Sequence, residues 1–178
     1  MRDGRSLGEW VGDVIAHGSG RSDAILVCAA YRATDPSQLE EIAAVARAFA
    51  PARERLLETQ AQGAAFAATV RAVWSLDVAD APYPVAYGQA CAGMALPLAP
   101  ALALYLHAMA ANLVSSAQRA MPLGQAEAQA CLAPLAPLTR RVARDALTEG
   151  LDDLSGCAFL AEIAAMRHET LDVRIFRT

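Results

Sequence analysis

The chain has 178 residues, 55% hydrophobic and 6% aromatic, with a formal net charge of −4. That length suits one domain burying roughly 70% of its unfolded surface, so no disulfide or metal staple is needed, and the composition excludes intrinsic disorder. All 15 basic residues are arginine; the absence of lysine excludes a Walker A loop and a Schiff-base or general-base lysine, and no basic stripe marks a nucleic-acid surface.

Apolar residues recur with helical period along the chain. Leu7, Trp10, Val11, Val14 and Ile15 share one face of a first helix. The stretch HGSGRSD is expected to break it, with Ser22 or Asp23 capping a second helix through Ile25, Leu26 and Tyr31. Asp35 followed by Pro36 predicts a capped third helix, whose stripe is Leu39, Ile42, Ala46 and Phe49. Pro51 is expected to open a long fourth helix toward Trp74, and SLDVADAPYP reads as a loop. A short fifth helix follows from Pro84 to Met94, where Gly88 and Gly93 signal close packing or a kink.

The run from Leu96 to Val114 is long enough to span a bilayer. Its two prolines, His107 and Asn112 favour instead a core helix, apolar all round. Leu98, Leu102, Tyr105, Leu106, Met109 and Leu113 share one of its faces, and MPLG ends it. A seventh helix runs from Gln125 to Glu149, interrupted at Pro134 and Pro137, because an interior proline costs about 3 kcal/mol. EGLDDLSG reads as a loop, then a last short helix from Phe159 to Glu169, then a tail. The expectation is an all-α, single-domain helical bundle of about seven or eight helices, with residues 1–169 as the domain and 170–178 as a docking tail.

Catalytic constellations are scarce. Cys28, Cys91, Cys131 and Cys157 form no C-x-x-C and sit among alanines and leucines, which reads as buried free thiols. His17 lies in a Gly/Ser turn, His107 reads as a hydrogen-bonded core group, and RHET around His168 is not H-E-x-x-H. Asp152 and Asp153 read as a cap and a solvated loop. No catalytic residue and no metal ligand is assigned, which puts a binding or scaffold role ahead of an enzyme. The alternative is a small-molecule sensor or enzyme with a pocket between helices near His107, Tyr105 and Asn112. The charged, glycine-rich start reads as no signal peptide, hence a cytoplasmic protein with no membrane partner.

The tail is denser in recognition chemistry. Leu171, Val173, Ile175 and Phe176 are too apolar for a solvated end, while Asp172, Arg174 and Arg177 forbid simple burial. An aromatic anchor with arginines at its rim suits an interface.

Four stretches carry a resemblance: IAHGSGRSDAIL, YPVAYG, ANLVSSAQRAMPLGQAEAQ and LDDLSGCAFLAEIAAMRHETLDVRIFRT. Together, in this order, they resemble the UreF family of urease accessory proteins over nearly the whole chain. The resemblance implies an all-α, non-enzymatic factor for assembling the nickel site of urease. It would bridge a UreG-like GTPase and a UreD/UreH-like chaperone on the urease apoprotein, with nickel handled by the complex and no cofactor bound directly. Arg167, His168, Glu169, Thr170, Arg174, Phe176 and Arg177 match the family's ending and are the implied partner-binding residues. The arginines read as interface groups rather than a GTPase-activating finger, and His168 and Cys157 as contacts rather than nickel ligands.

The family habit is dimeric, and the sixth helix is more apolar than one core face requires. Tyr105, Met109, Pro122 and Gln125 are therefore the expected homodimer interface. Departures from the family pattern are Leu171, Asp172 and Ala128, and the lack of a serine-proline and glycine-phenylalanine-serine rich segment that normally leads into a first helix, this chain starting at what looks like the family's next helix. The chain thus reads as an N-terminally shortened member.

Overall fold

The computed structural model describes residues 3–155. These form eight α-helices: α1 Gly4–His17, α2 Ser19–Arg32, α3 Pro36–Ala48, α4 Arg53–Trp74, α5 Tyr83–Gly93, α6 Leu98–Ala120, α7 Gln125–Leu132 and α8 Ala136–Ala146. Two 3-10 turns, Ala133–Leu135 and Leu151–Asp153, complete them, and no strand occurs among the described residues. The all-α expectation holds. The expected last helix from Phe159 and the 169/170 boundary lie outside the described residues.

These residues fall into two compact units. Of the described residues, one contains those up to Ile25 and those from Ala99 to Ser155, the other Leu26–Leu98.

In the first unit, α1 begins with a reciprocal cap. Asp3 Oδ1 accepts from the Ser6 N–H at 2.9 Å, and the Asp3 N–H donates to Ser6 Oγ at 3.3 Å, so two orphan groups of the helix end are satisfied. Leu7, Val11, Val14 and Ile15 are buried as expected, with Trp10 half-buried. α1 packs on α7 and α8. The break after α1 is a single residue, Gly18, and α2 already starts at Ser19. Ser22 and Asp23 are therefore not caps; they lie inside α2 and are buried. What permits so tight a corner is Gly20, where a Cβ would sit 2.5 Å from Ile15 Cα and 2.7 Å from its carbonyl oxygen.

α6 buries one face only, through Ala101, Leu102, Tyr105, Leu106, Ala110 and Val114. Leu104, His107, Ala108 and Asn112 are exposed. The expectation of a core helix buried all round is corrected, and so is that of a buried His107. Alanine contributes so little side chain that an apolar composition does not force burial on every face. α6 is the one helix among the described residues long and apolar enough to cross a membrane by length and composition. Pro134 and Pro137 break the seventh helix as expected, into α7, a 3-10 turn and α8.

The second unit is organised by close backbone approach. Asp35 caps α3 through the Gln38 N–H at 3.0 Å, with Pro36 in the first turn. α4 starts at Arg53, two residues after Pro51. The 75–82 segment runs back along α4: Arg71 Nη2 pairs with Asp80 at 2.9 Å, and Arg71 Nη1 also donates to the Val78 carbonyl. α5 then starts beside the middle of α4, where the Tyr83 N–H donates to Thr59 Oγ1 at 3.2 Å. Ala67, Val70, Val78, Ala86 and Ala90 form the seam, and Phe66 meets Tyr83 edge-on at 5.5 Å. Pro84, Val85, Ala86 and Gly88 of YPVAYG are buried, so that motif is architecture. A Cβ on Gly88 would fall 2.5 Å from the Val27 carbonyl oxygen, which settles close packing over a kink.

Candidate functional site

The sequence-predicted tail residues Arg167, His168, Glu169, Thr170, Arg174, Phe176 and Arg177, together with Cys157, lie outside the described residues. The structure does describe the stretch from which they continue, and a single side chain fastens it. Arg21, on the first turn of α2, reaches residues more than a hundred positions later. Its Nη2 pairs with Glu149 Oε1 at 2.8 Å, and its Nη1 donates to the Asp153 carbonyl at 2.9 Å and to Ser155 Oγ at 2.8 Å. Ser22 Oγ adds a longer bond to the Ser155 carbonyl, 3.4 Å. Arg21 and Glu149 side chains are 24% and 23% exposed, so this ion pair is better shielded than an ordinary surface pair. Glu149 Oε2 is buried, with no hydrogen-bond donor among the described residues. Within the stretch, Asp153 Oδ2 accepts from the Gly150 N–H at 2.9 Å. The residue read as a cap does cap, around a 3-10 turn rather than an open loop.

The four expected interface residues divide. Tyr105 is 5% exposed, and its hydroxyl donates to Asp23 Oδ2 at 2.9 Å in a buried pair. It supports α6 from within and is not part of its surface. Met109 is half-buried, Pro122 and Gln125 are exposed. The turn between α6 and α7 is tight: the Leu123 N–H donates to the Met121 carbonyl across Pro122 at 2.8 Å, and Gln118 Nε2 donates to Gln125 Oε1 at 3.2 Å. Leu104, 63% exposed, adds to this outer face and was missed in the sequence reading. The three groups proposed to line a small-molecule pocket do not converge. His107 and Asn112 are exposed while Tyr105 is buried; His107, two positions on from Tyr105, points to the opposite side of the helix.

A groove of about 530 Å³ lies elsewhere in the same unit, where α1 meets α7 and the following turn. Gly4, Gly8 and Gly12 form its floor, with Glu127, Cys131 and Leu135 opposite. Cys131 Sγ donates to the Gly4 carbonyl at 3.0 Å, and burial pushes its thiol up, helped by Glu127 and Asp3. Burial likewise raises Cys91. A thiol held protonated is a poor nucleophile and a poor metal ligand. Cys28, Cys91 and Cys131 are buried as expected and in no disulfide among the described residues, and no cluster of His, Cys, Asp and Glu that could hold a metal occurs among the described residues.

The second unit carries an exposed apolar end that sequence reasoning also missed. Val73 and Trp74 close α4, and Met94 and Leu96 follow α5. Leu76 bridges the two helix ends, its side chain lying 2.7 Å from where a Cβ on Gly93 would be. Ser75 and Ala95, beside these residues, are the two non-glycine positions among the described residues with left-handed backbone, both at φ 53°.

The sequence profile of the UreF family matches residues 1–136. The chain is 52% identical over 178 residues to the urease accessory protein UreF of Roseobacter denitrificans, covering all of this chain and 80% of that one. It is 53% identical over 178 residues to the protein of the same name from Cereibacter sphaeroides, covering 83% of it. Against that of Bradyrhizobium diazoefficiens it is 41% identical over 190 residues, covering 78%.

Proposed function

Because the chain belongs to the UreF family of urease accessory proteins, we propose that it is a non-catalytic maturation factor that bridges a UreG-like GTPase and a UreD/UreH-like chaperone on apo-urease. The observation that carries this reading is the similarity along all 178 residues to proteins named urease accessory protein UreF. In this role the protein holds no resident cofactor; nickel passes through the complex, and the nucleotide step belongs to the GTPase, since a chain without lysine has no Walker A loop. The protein works in the cytoplasm, away from membranes and nucleic acid.

Residues 170–178 form the docking tail on a domain of residues 1–169. Phe176 serves as the anchor with Arg174 and Arg177 at its rim, and Arg167, His168, Glu169 and Thr170 are further partner-binding residues. The protein pairs with a second copy through the outer face of α6, where Leu104 is exposed, and the following turn, with Met109, Pro122 and Gln125 as contacts.

Two experiments test this. The gene should restore urease activity to cells lacking their UreF. Deleting residues 170–178 should leave helicity and melting temperature nearly unchanged but abolish co-purification with the UreD- or UreG-like protein, and Phe176→Ala should reproduce most of that loss. An unfolded deletion variant, or an intact complex, refutes the docking role.

A further inference from the structure

We propose that Arg21 is a positioning residue for partner docking: by clasping residues 149–155 it fixes the stretch from which residues 156–178 continue. The proposal rests on the docking reading above and assigns it a device within the helices.

Three acceptors from one short stretch converge on one guanidinium, Glu149 Oε1, the Asp153 carbonyl and Ser155 Oγ, all within 2.9 Å. A planar fork satisfies acceptors in several directions at once, which the point charge of an ammonium does not. The base of the clasp is itself immobilised. Gly20, the preceding residue, presses the first turn of α2 against Ile15 so closely that no Cβ fits. Asp152, Asp153 and Ser155 are exposed and Leu151 and Leu154 half-buried; among the described residues the stretch is held besides by its own 3-10 turn with the Gly150–Asp153 cap and by the longer Ser22 bond. The Glu149 carboxylate, only 23% exposed, takes its donor from Arg21 through Oε1. A backbone fixed before binding need not be ordered during it, and that raises affinity without adding a contact.

The test uses the full chain and the UreD/UreH-like chaperone of the same organism, with Arg21→Gln, Arg21→Lys and the 170–178 deletion compared. Arg21→Gln should keep far-UV helicity, speed hydrogen exchange at the Asp153 and Leu154 amides about tenfold or more, and weaken chaperone binding about tenfold. Arg21→Lys should recover only part of both. Unchanged exchange in Arg21→Gln overturns the clasp. Faster exchange with unchanged affinity overturns its role in docking. If Arg21→Gln loses helicity, Ser155→Ala carries the same two readouts, since it removes one acceptor and leaves the Arg21–Glu149 pair. Full affinity in the 170–178 deletion overturns the docking reading itself; lost affinity there with full affinity in Arg21→Gln overturns the positioning role alone.

Discussion

Replacing Gly63 by alanine tests the close approach that organises the second unit. The added Cβ would lie 1.9 Å from the Ala81 carbonyl oxygen and 2.8 Å from the Tyr83 nitrogen. Both are backbone atoms, so no flexible side chain can swing aside. The returning segment must move by more than about 1 Å, where overpacking relieved by modest shifts costs about 1–3 kcal/mol. That movement also breaks the Tyr83 N–H bond to Thr59, worth about 1 kcal/mol, and parts Val78 and Ala86 from Ala67 and Val70. Against this, alanine gains about 1 kcal/mol of helix propensity over glycine. The net expectation is about 3 kcal/mol of destabilisation, or roughly 6–12 °C in melting temperature for a chain of this size. Urea and thermal unfolding should be followed by circular dichroism and tryptophan fluorescence together, because two compact units need not melt as one. Gly12→Ala is the matched control. Its Cβ would meet only Leu135 and Leu138 side-chain carbons at 3.5 and 3.6 Å, so it should stabilise by about 1 kcal/mol. A Gly63→Ala protein as stable as the parent would refute the reasoning.

Asp35→Ala removes the α3 cap and should cost about 1 kcal/mol by urea titration. Tyr105→Phe removes the hydroxyl that donates to buried Asp23 and should cost about 1–2 kcal/mol with α6 helicity retained. Burial raises Tyr87 above its ordinary 10.0 and Cys91 above 9.0, so the folded state holds their protons more tightly than the unfolded chain. Their contribution is therefore complete below about pH 9 and is lost as pH rises further; melting temperature should fall over that range, and Cys91→Ala with Tyr87→Phe should flatten the fall. Leu104→Glu places a charge on the outer face of α6 and should convert a dimer to a monomer in sedimentation velocity, while a monomeric parent chain would refute that interface.

Local chemistry was legible before any coordinates. Asp35–Pro36 marked a helix start because a cap and a fixed φ act on their own neighbours, and Pro134 and Pro137 broke a helix for the same local reason. The stripe Leu7, Val11, Val14 and Ile15 named a buried face because the helical period is a property of the backbone. The family resemblance was legible too, since it rests on motifs in order. Tertiary contacts decided the rest. Ser22 and Asp23 look like caps until Gly20 lets α2 begin at Ser19, a matter of one backbone passing another. Tyr105 looks like an interface residue until its hydroxyl finds Asp23, 82 residues away. His107 looks like core on an apolar helix, yet periodicity cannot say which faces of α6 will find neighbours. Arg21 stands in one of the resembling stretches, yet nothing local marks what it holds, because its acceptors are remote in sequence and only folding brings Glu149, Asp153 and Ser155 to one guanidinium.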